Sequence, residues 1–117
     1  RAVVVGYGRL VGQPAAELLK KLGADVTVLQ ASDSLLPLKN ADIVVLGAGS
    51  PGLVKPEMLK QEVVLIDAGT SESKGKLVGD ADPACATVAS IFTPVPGGIG
   101  PVAVAIIFKN LFDLAKK

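Results

Sequence analysis

Apolar residues arrive in short blocks separated by glycine-rich or polar punctuation. Ala2-Val3-Val4-Val5 is apolar at every position, and Gly6 closes the run. A strand without a polar face expects cover on both sides, so Ala2–Gly6 reads as a buried strand. By the same reasoning 25-DVTVLQ-30, 42-DIVVLG-47, Val63–Asp67 and Ser90–Thr93 are predicted strands. After the first strand the period changes. Val11, Ala15, Leu18, Leu19 and Leu22 fall on one helical stripe. They predict a helix over Gly12–Leu22, with Pro14 in its first turn and Gly23 as the stop. A short turn of helix or a loop is expected around Leu35-Leu36-Pro37, and short helices over Lys55–Lys60 behind Pro56 and over Pro83–Val88. The segment 70-TSESKGK-76 is polar and reads as a surface loop. A closing helix is expected over Pro101–Ala115. Its half 102-VAVAIIF-108 is apolar all round, which predicts burial on more than one side. The terminal Lys116-Lys117 suits the negative end of that helix.

Strands alternating with helical stretches imply right-handed crossovers. The predicted fold class is α/β: a Rossmann-type doubly wound parallel sheet with helices on both faces. At 117 residues, half of them apolar, the chain suits one domain over 1–117. The net charge of +1 and the lack of a basic run argue against a nucleic-acid partner. There are no histidines, which removes His metal sites and His general bases, and no metal site is expected. The single Cys85 rules out an internal disulfide framework and is expected in or near the core, with nothing beside it to activate it. Residues 83–108 carry no charge, but Pro83, Pro94, Pro96, Pro101 and Gly97-Gly98 break the run, so no membrane span is expected. The chain opens on a strand without a starting Met, which suggests a piece of a longer protein; a processed terminus is the alternative.

In a doubly wound sheet the ligand lies at the carboxyl ends of the strands. Four turns there hold most of the glycines. In 5-VGYGRLVGQP-14, Gly6 and Gly8 permit a tight turn, and the N–H groups opening the next helix can face a phosphate. The spacing is one residue longer than the usual dinucleotide fingerprint, and a plain packing turn is the bland alternative. At 30-QASDS-34, Ser32 or Asp33 could bond ribose hydroxyls; equally, Asp33 or Ser34 could cap the short helix that follows. At 47-GAGSPG-52 the small residues Ala48 and Gly49 would let a flat group lie against the backbone. At 67-DAGT-70, with Gly69 and Thr70, Asp67 is either a functional carboxylate or a turn acceptor. Finally 94-PVPGGIGP-101 is a rigid, uncharged corner: its prolines fix φ and its glycines would admit a ligand to the backbone, or it is a rigid turn that merely launches the last helix, which Pro101 at the helix start suits equally.

The pieces 3-VVVG-6, 11-VGQPAAELL-19, 41-ADIVVLGAGSPGLVK-55, 63-VVLIDAG-69, 76-KLVGDAD-82 and 93-TPVPGGIGPVAVA-105 occur together, in this order. In them the chain closely resembles the nucleotide-binding domain of bifunctional methylenetetrahydrofolate dehydrogenase/methenyltetrahydrofolate cyclohydrolase. The resemblance implies a cofactor, NADP or NAD, held by Gly6, Tyr7, Gly8, Arg9, Val11, Gly12, Ser32, Asp33, Ala48, Gly49, Gly69 and Thr70. It implies a folate cleft whose wall is Pro96, Gly97, Gly98, Ile99, Gly100 and Pro101. The catalytic lysine and tyrosine of the family belong to a preceding folate domain that this chain does not contain, so no catalytic residue is expected here, and the chain alone is expected to lack turnover. The resemblance also implies a homodimer paired through the nucleotide domain and a cytoplasmic enzyme, with the mitochondrion as an alternative in a eukaryotic source.

The chain departs from the family pattern at three places. Tyr7-Gly8 stands where an Arg-Ser pair usually helps hold the adenosine 2′-phosphate. Ala31-Ser32-Asp33 stands where a serine and a basic residue are usual. Val102-Ala103 replaces Met-Thr. An acid near a 2′-phosphate is repulsive, so these changes favour NAD, although Arg9 could compensate. A stand-alone NAD(P)-binding or dimerisation module without its own catalysis is the alternative reading, and a decayed site that binds neither nucleotide is a third.

Overall fold

The computed structural model describes residues 1–115, apart from the side-chain surroundings of 100, 101 and 104; the expectation for Lys116-Lys117 lies outside the described residues. Five strands form one parallel sheet: β1 (Ala2–Val5), β2 (Val26–Leu29), β3 (Ile43–Leu46), β4 (Val63–Asp67) and β7 (Ala89–Thr93). Their order is β2-β1-β3-β4-β7. Ala2 pairs with Val26 on one side and Ile43 on the other, so β1 lies inside the sheet and the winding reverses there. The carboxyl end of β1 is therefore the switch point, where a crevice opens between crossovers leaving in opposite directions.

Burial follows the two-residue strand period. Val4 and Val45 face α1 (Gly12–Lys21) and pack with its Ala16. Val3, Val5, Val44, Leu46 and Leu65 face the other way, into the larger cluster. The cover on that second face comes from three 3-10 turns rather than from full helices. Leu36–Asn40 contributes Leu38, Pro56–Met58 leads into Leu59, and Pro83–Thr87 contributes Cys85. Each turn carries a proline at its start and is too short to settle into an α-helix. Leu38 and Leu65 are fully buried, and truncating either to alanine should cost about 2–5 kcal/mol.

Two expectations need correction. The segment 70–76 is not a loop: β5 (Ser71–Ser73) and β6 (Lys76–Val78) pair antiparallel around Lys74 and Gly75. Both turn residues have positive φ, 52° and 77°, the backbone of a tight hairpin. The closing helix α2 (Ile99–Ala115) begins two residues earlier than expected, with Pro101 in its first turn, where no N–H is needed. More important, α2 is not buried on several sides. Val102, Ile106, Ile107, Phe108 and Leu111 are each half or more exposed, and among the described residues none of α2 joins either core cluster. No helix among the described residues is long and apolar enough to cross a membrane.

Candidate functional site

The chain leaves β1 through Gly6, whose φ of 90° suits only glycine. A Cβ there would sit 2.6 Å from the Gly47 carbonyl oxygen, so the turn lies directly against the loop after β3. From the other side Gly12 brings α1 onto the turn: a Cβ on Gly12 would fall 2.0 Å from the Gly6 oxygen. No side chain caps α1; the Gln13 and Ala15 N–H groups donate to the Gly8 and Val11 carbonyl oxygens and Pro14 has none, so a ligand at this end meets the Gly12 N–H and the positive end of the helix.

This clamped turn borders a cavity of about 510 Å³ at the switch point, lined by Gly6, Tyr7 and Gly8, by Gln30 and Asp33 after β2, and by Ala48 after β3. Asp33 Oδ2 accepts the Gln30 N–H at 2.8 Å, while the Ser34 hydroxyl accepts the Leu36 N–H at 3.2 Å. Ser34 therefore closes a local turn ahead of Leu36–Asn40, whose N-cap is Leu35 with no side-chain cap, and Asp33 faces the cavity while closing its own loop. Arg9 and Ser32 are exposed and do not line this cavity. Gly12 acts beneath the turn rather than on the cavity wall.

A second cavity, of about 410 Å³, lies over the carboxyl ends of β4 and β7. Pro96, Gly97, Gly98 and Ile99 form one wall, with Val11 and Thr70 opposite, and Asp67 and Leu77 also line it. The Val95–Pro96 peptide is cis. A Cβ on Gly98 would be 2.3 Å from the Pro94 oxygen, so the corner folds back tightly on itself. Gly100 and Pro101 lie in the first turn of α2. The two cavities are neighbours, because Val11 of the second packs on Gly47 of the first.

Beneath both lie two carboxylates. Asp67 and Asp80 are essentially inaccessible to solvent. Asp67 Oδ1 accepts the N–H groups of Gly69 (3.0 Å) and Asp80 (3.2 Å), and Oδ2 accepts that of Ala81 (2.9 Å). Burial raises the pKa of Asp67 above the ordinary carboxylate value, against those three donors. Asp80 accepts from Ala48, Gly49 and Ser50. Exposed Gly49 and buried Gly69 thus donate to these carboxylates and do not line either cavity. Asp80 was not among the expected site residues. Its sequence signal is the Gly79-Asp80 pair in 76-KLVGDAD-82: a Cβ on Gly79 would lie 2.1 Å from Asp67 Oδ2, and one on Gly69 2.1 Å from the Asp80 carboxyl carbon. Cys85 is fully buried, and that burial, ahead of nearby Asp82 and Asp67, pushes its thiol up to about 11, far from a nucleophile's range. Among the described residues no group of three His, Cys, Asp or Glu could hold a metal.

Known proteins resemble this chain in sequence and fold. The family described as tetrahydrofolate dehydrogenase/cyclohydrolase, NAD(P)-binding domain, matches residues 1–117. The bifunctional protein FolD of Thermomicrobium roseum is 47% identical over 116 residues, covering 97% of this chain and 40% of that protein. The crystal structure of the bifunctional FolD enzyme from Campylobacter jejuni superimposes with a TM-score of 0.94 at 35% identity, over 98% of this chain and 42% of that one. The Trypanosoma brucei methylenetetrahydrofolate dehydrogenase-cyclohydrolase, solved with NADP cofactor and inhibitor, gives 0.85 at 42% identity, over 94% and 41%. The chain thus spans about two fifths of the length of the relatives it matches. With the family matched from end to end and the same fold in those enzymes, the chain belongs to the NAD(P)-binding domain family of tetrahydrofolate dehydrogenase/cyclohydrolase.

Proposed function

We propose that this chain holds NAD(P) across the switch point and forms the nucleotide half of a two-domain enzyme. That enzyme would oxidise 5,10-methylenetetrahydrofolate to the methenyl form and hydrolyse it to 10-formyltetrahydrofolate. The observation that carries the reading is the pair of adjoining cavities at the carboxyl edge of the sheet. The first fits a dinucleotide. Gly6 and Gly12 bring turn and helix together without side chains, so a pyrophosphate could approach the turn and the positive end of α1 closely. Gly6, Tyr7, Gly8, Asp33 and Ala48 would line the adenosine side. Asp33 faces the place of the ribose and supports a preference for NAD over NADP. The second cavity is mostly apolar and suits flat rings, with the corner 96–99 as the wall shared by nicotinamide and folate.

When bound, the nicotinamide accepts the hydride; the chain's own part is placement. Among the described residues Asp67 is the only carboxylate lining the second cavity, and both its oxygens are taken by backbone N–H groups. It is a poor candidate for proton transfer, which supports placing the acid–base groups on a separate folate domain. The exposed apolar side chains of α2 are the natural seat for that domain, and the homodimer implied by the resemblance is the second candidate for the same surface.

NADH fluorescence tests the reading. Gly97 has φ 96°, which strains any side chain, and open space where a Cβ would point. Gly97→Ala and Gly97→Leu should therefore lower the unfolding midpoint alike, while the larger side chain weakens nucleotide or folate binding more. Equal losses of binding in the two would make the corner a plain structural turn, and wild-type protein that binds neither nucleotide would sink the proposal.

A further inference from the structure

The two buried carboxylates connect the two cavities. Three consecutive N–H groups converge on Asp80: Ala48 at 2.7 Å and Gly49 at 3.3 Å to Oδ2, and Ser50 at 2.8 Å to Oδ1. Successive backbone N–H groups turned toward one point form the kind of concavity in which proteins bind anions. Here the anion is the chain's own side chain. Its backbone is held in turn: the Asp80 N–H goes to Asp67 Oδ1 at 3.2 Å, and the Asp67 N–H goes to the Thr93 hydroxyl at 3.0 Å, where the proline corner begins. The adjacent segment is fixed as well, since the Val54 N–H donates to the Asp80 carbonyl and Val54 and Ala81 form a parallel bridge. One line of bonds therefore runs from the loop after β3, through Asp80 and Asp67, to the foot of the 94–98 corner.

We propose that Asp80 is a positioning residue for nucleotide binding: it fills the anion-binding concavity of the 48–50 loop, fixing that loop as a cavity wall and withholding its donors from the ligand's phosphates. The phosphates are thereby left to the turn between β1 and α1. The glycines agree with this. Any Cβ at Gly69 would overlap the Asp80 carboxyl group at 2.1–2.3 Å, so that position is emptied to let the carboxylate reach the loop. A merely structural tie would also be satisfied by an uncharged acceptor; the proposal requires that the three donors become available to outside anions once the carboxylate is lost. The inference rests on the nucleotide reading above.

The test uses the 15N-labelled full chain and Asp80→Asn, at a temperature where circular dichroism shows both folded. In the wild type, the amides of Ala48, Gly49 and Ser50 should exchange slowly and stay silent when inorganic phosphate is added, while those of residues 6–12 shift. In Asp80→Asn, the dissociation constant for NADH should rise at least tenfold, and the 48–50 amides should now shift with phosphate. Affinity within twofold of wild type, or 48–50 amides silent to phosphate in both proteins, overturns the proposal. If Asp80→Asn does not fold, the wild type alone decides: fast exchange at 48–50, or shifts there exceeding those at 6–12, overturns it, and the reverse supports it. Failure of the wild type to bind either nucleotide would instead sink the nucleotide reading, so the two failures are distinguishable.

Discussion

Gly6 and Gly8 look interchangeable in a glycine fingerprint, but the structure separates them. Gly6 has φ 90°, and a Cβ there would meet the Gly47 oxygen at 2.6 Å and its carbon at 2.8 Å. Left-handed backbone costs an L-residue about 1–2 kcal/mol. Forcing a methyl against backbone adds about 1–3 kcal/mol, because the loop after β3 must move. Gly6→Ala should therefore cost about 2–5 kcal/mol, a large share of the roughly 5–15 kcal/mol that holds a domain folded. Gly8 has nothing within 4 Å of its would-be Cβ and lines the first cavity. Gly8→Ala should change stability by less than about 1 kcal/mol, while its methyl occupies space meant for the nucleotide. Urea unfolding followed by circular dichroism reads the first effect, as a midpoint lowered by on the order of 1–2 M. NADH titration reads the second, as weaker binding at unchanged midpoint. If both variants unfold at the same urea concentration, the close approach of turn and loop is not what demands glycine at Gly6. If Gly8→Ala binds NADH normally, the first cavity is not the nucleotide site.

Asp33→Ser should raise NADP affinity relative to NAD by about five- to tenfold, the worth of removing one like charge a few ångströms from a phosphate in a wet site; an unchanged ratio in paired titrations would discard the preference for NAD. Cys85, buried and with its thiol pushed up to about 11, should resist iodoacetamide at pH 8 in the folded chain and react once urea unfolds it; rapid labelling of native protein would contradict its burial. Asp67 carries a raised pKa in the fold against 3.8 when unfolded, so the folded state holds the extra proton between those values. Its contribution to stability must decline as pH rises from about 3.8 through the folded pKa and then level off. The stability difference between wild type and Asp67→Asn isolates it from Asp42 and Asp82, whose carboxyls are shifted down by Lys60 and by the Ala84 N–H respectively. A difference that grows with pH across that window would refute the burial argument.

The five strands and α1 are legible in the sequence because each reports its own burial. Ala2–Val5 is apolar at every position since both faces are covered, and the stripe through Ala15 and Leu19 lies against the face of the sheet bearing Val4 and Val45. The hairpin at 71–78 is not legible. Its strands are three residues each and have no buried face, so alternation has nothing to record. What marks it is Lys74-Gly75, two residues able to take positive φ. The apolar run of α2 predicts burial within this fold, yet among the described residues none of it joins the core of the sheet. Hydrophobic pattern reports that a surface is covered somewhere; it does not say by which part of a protein.

The site divides along the same line. Residues whose role is backbone geometry are legible in the sequence, because glycine and proline clustered at a strand end mark a turn that side chains could not occupy. Gly6, Gly8, Pro96, Gly97 and Gly98 all border the cavities. Asp80 escapes sequence reasoning because its role depends on three partners about thirty residues away, and a lone aspartate in a sequence carries no record of which N–H groups it meets. The same pairing accounts for glycine at Gly69 and Gly79, which border neither cavity: each leaves room for a carboxylate contributed from the other's neighbourhood. A side chain at Gly69 would act on the site through Asp80, and one at Gly79 through Asp67 and through Val95 of the second cavity. Gly69→Ala and Asp80→Asn should therefore be non-additive in nucleotide affinity, since either change alone already displaces the same carboxylate from the 48–50 loop. Affinity losses that simply add in the double variant would show that Gly69 and Asp80 act on the nucleotide independently.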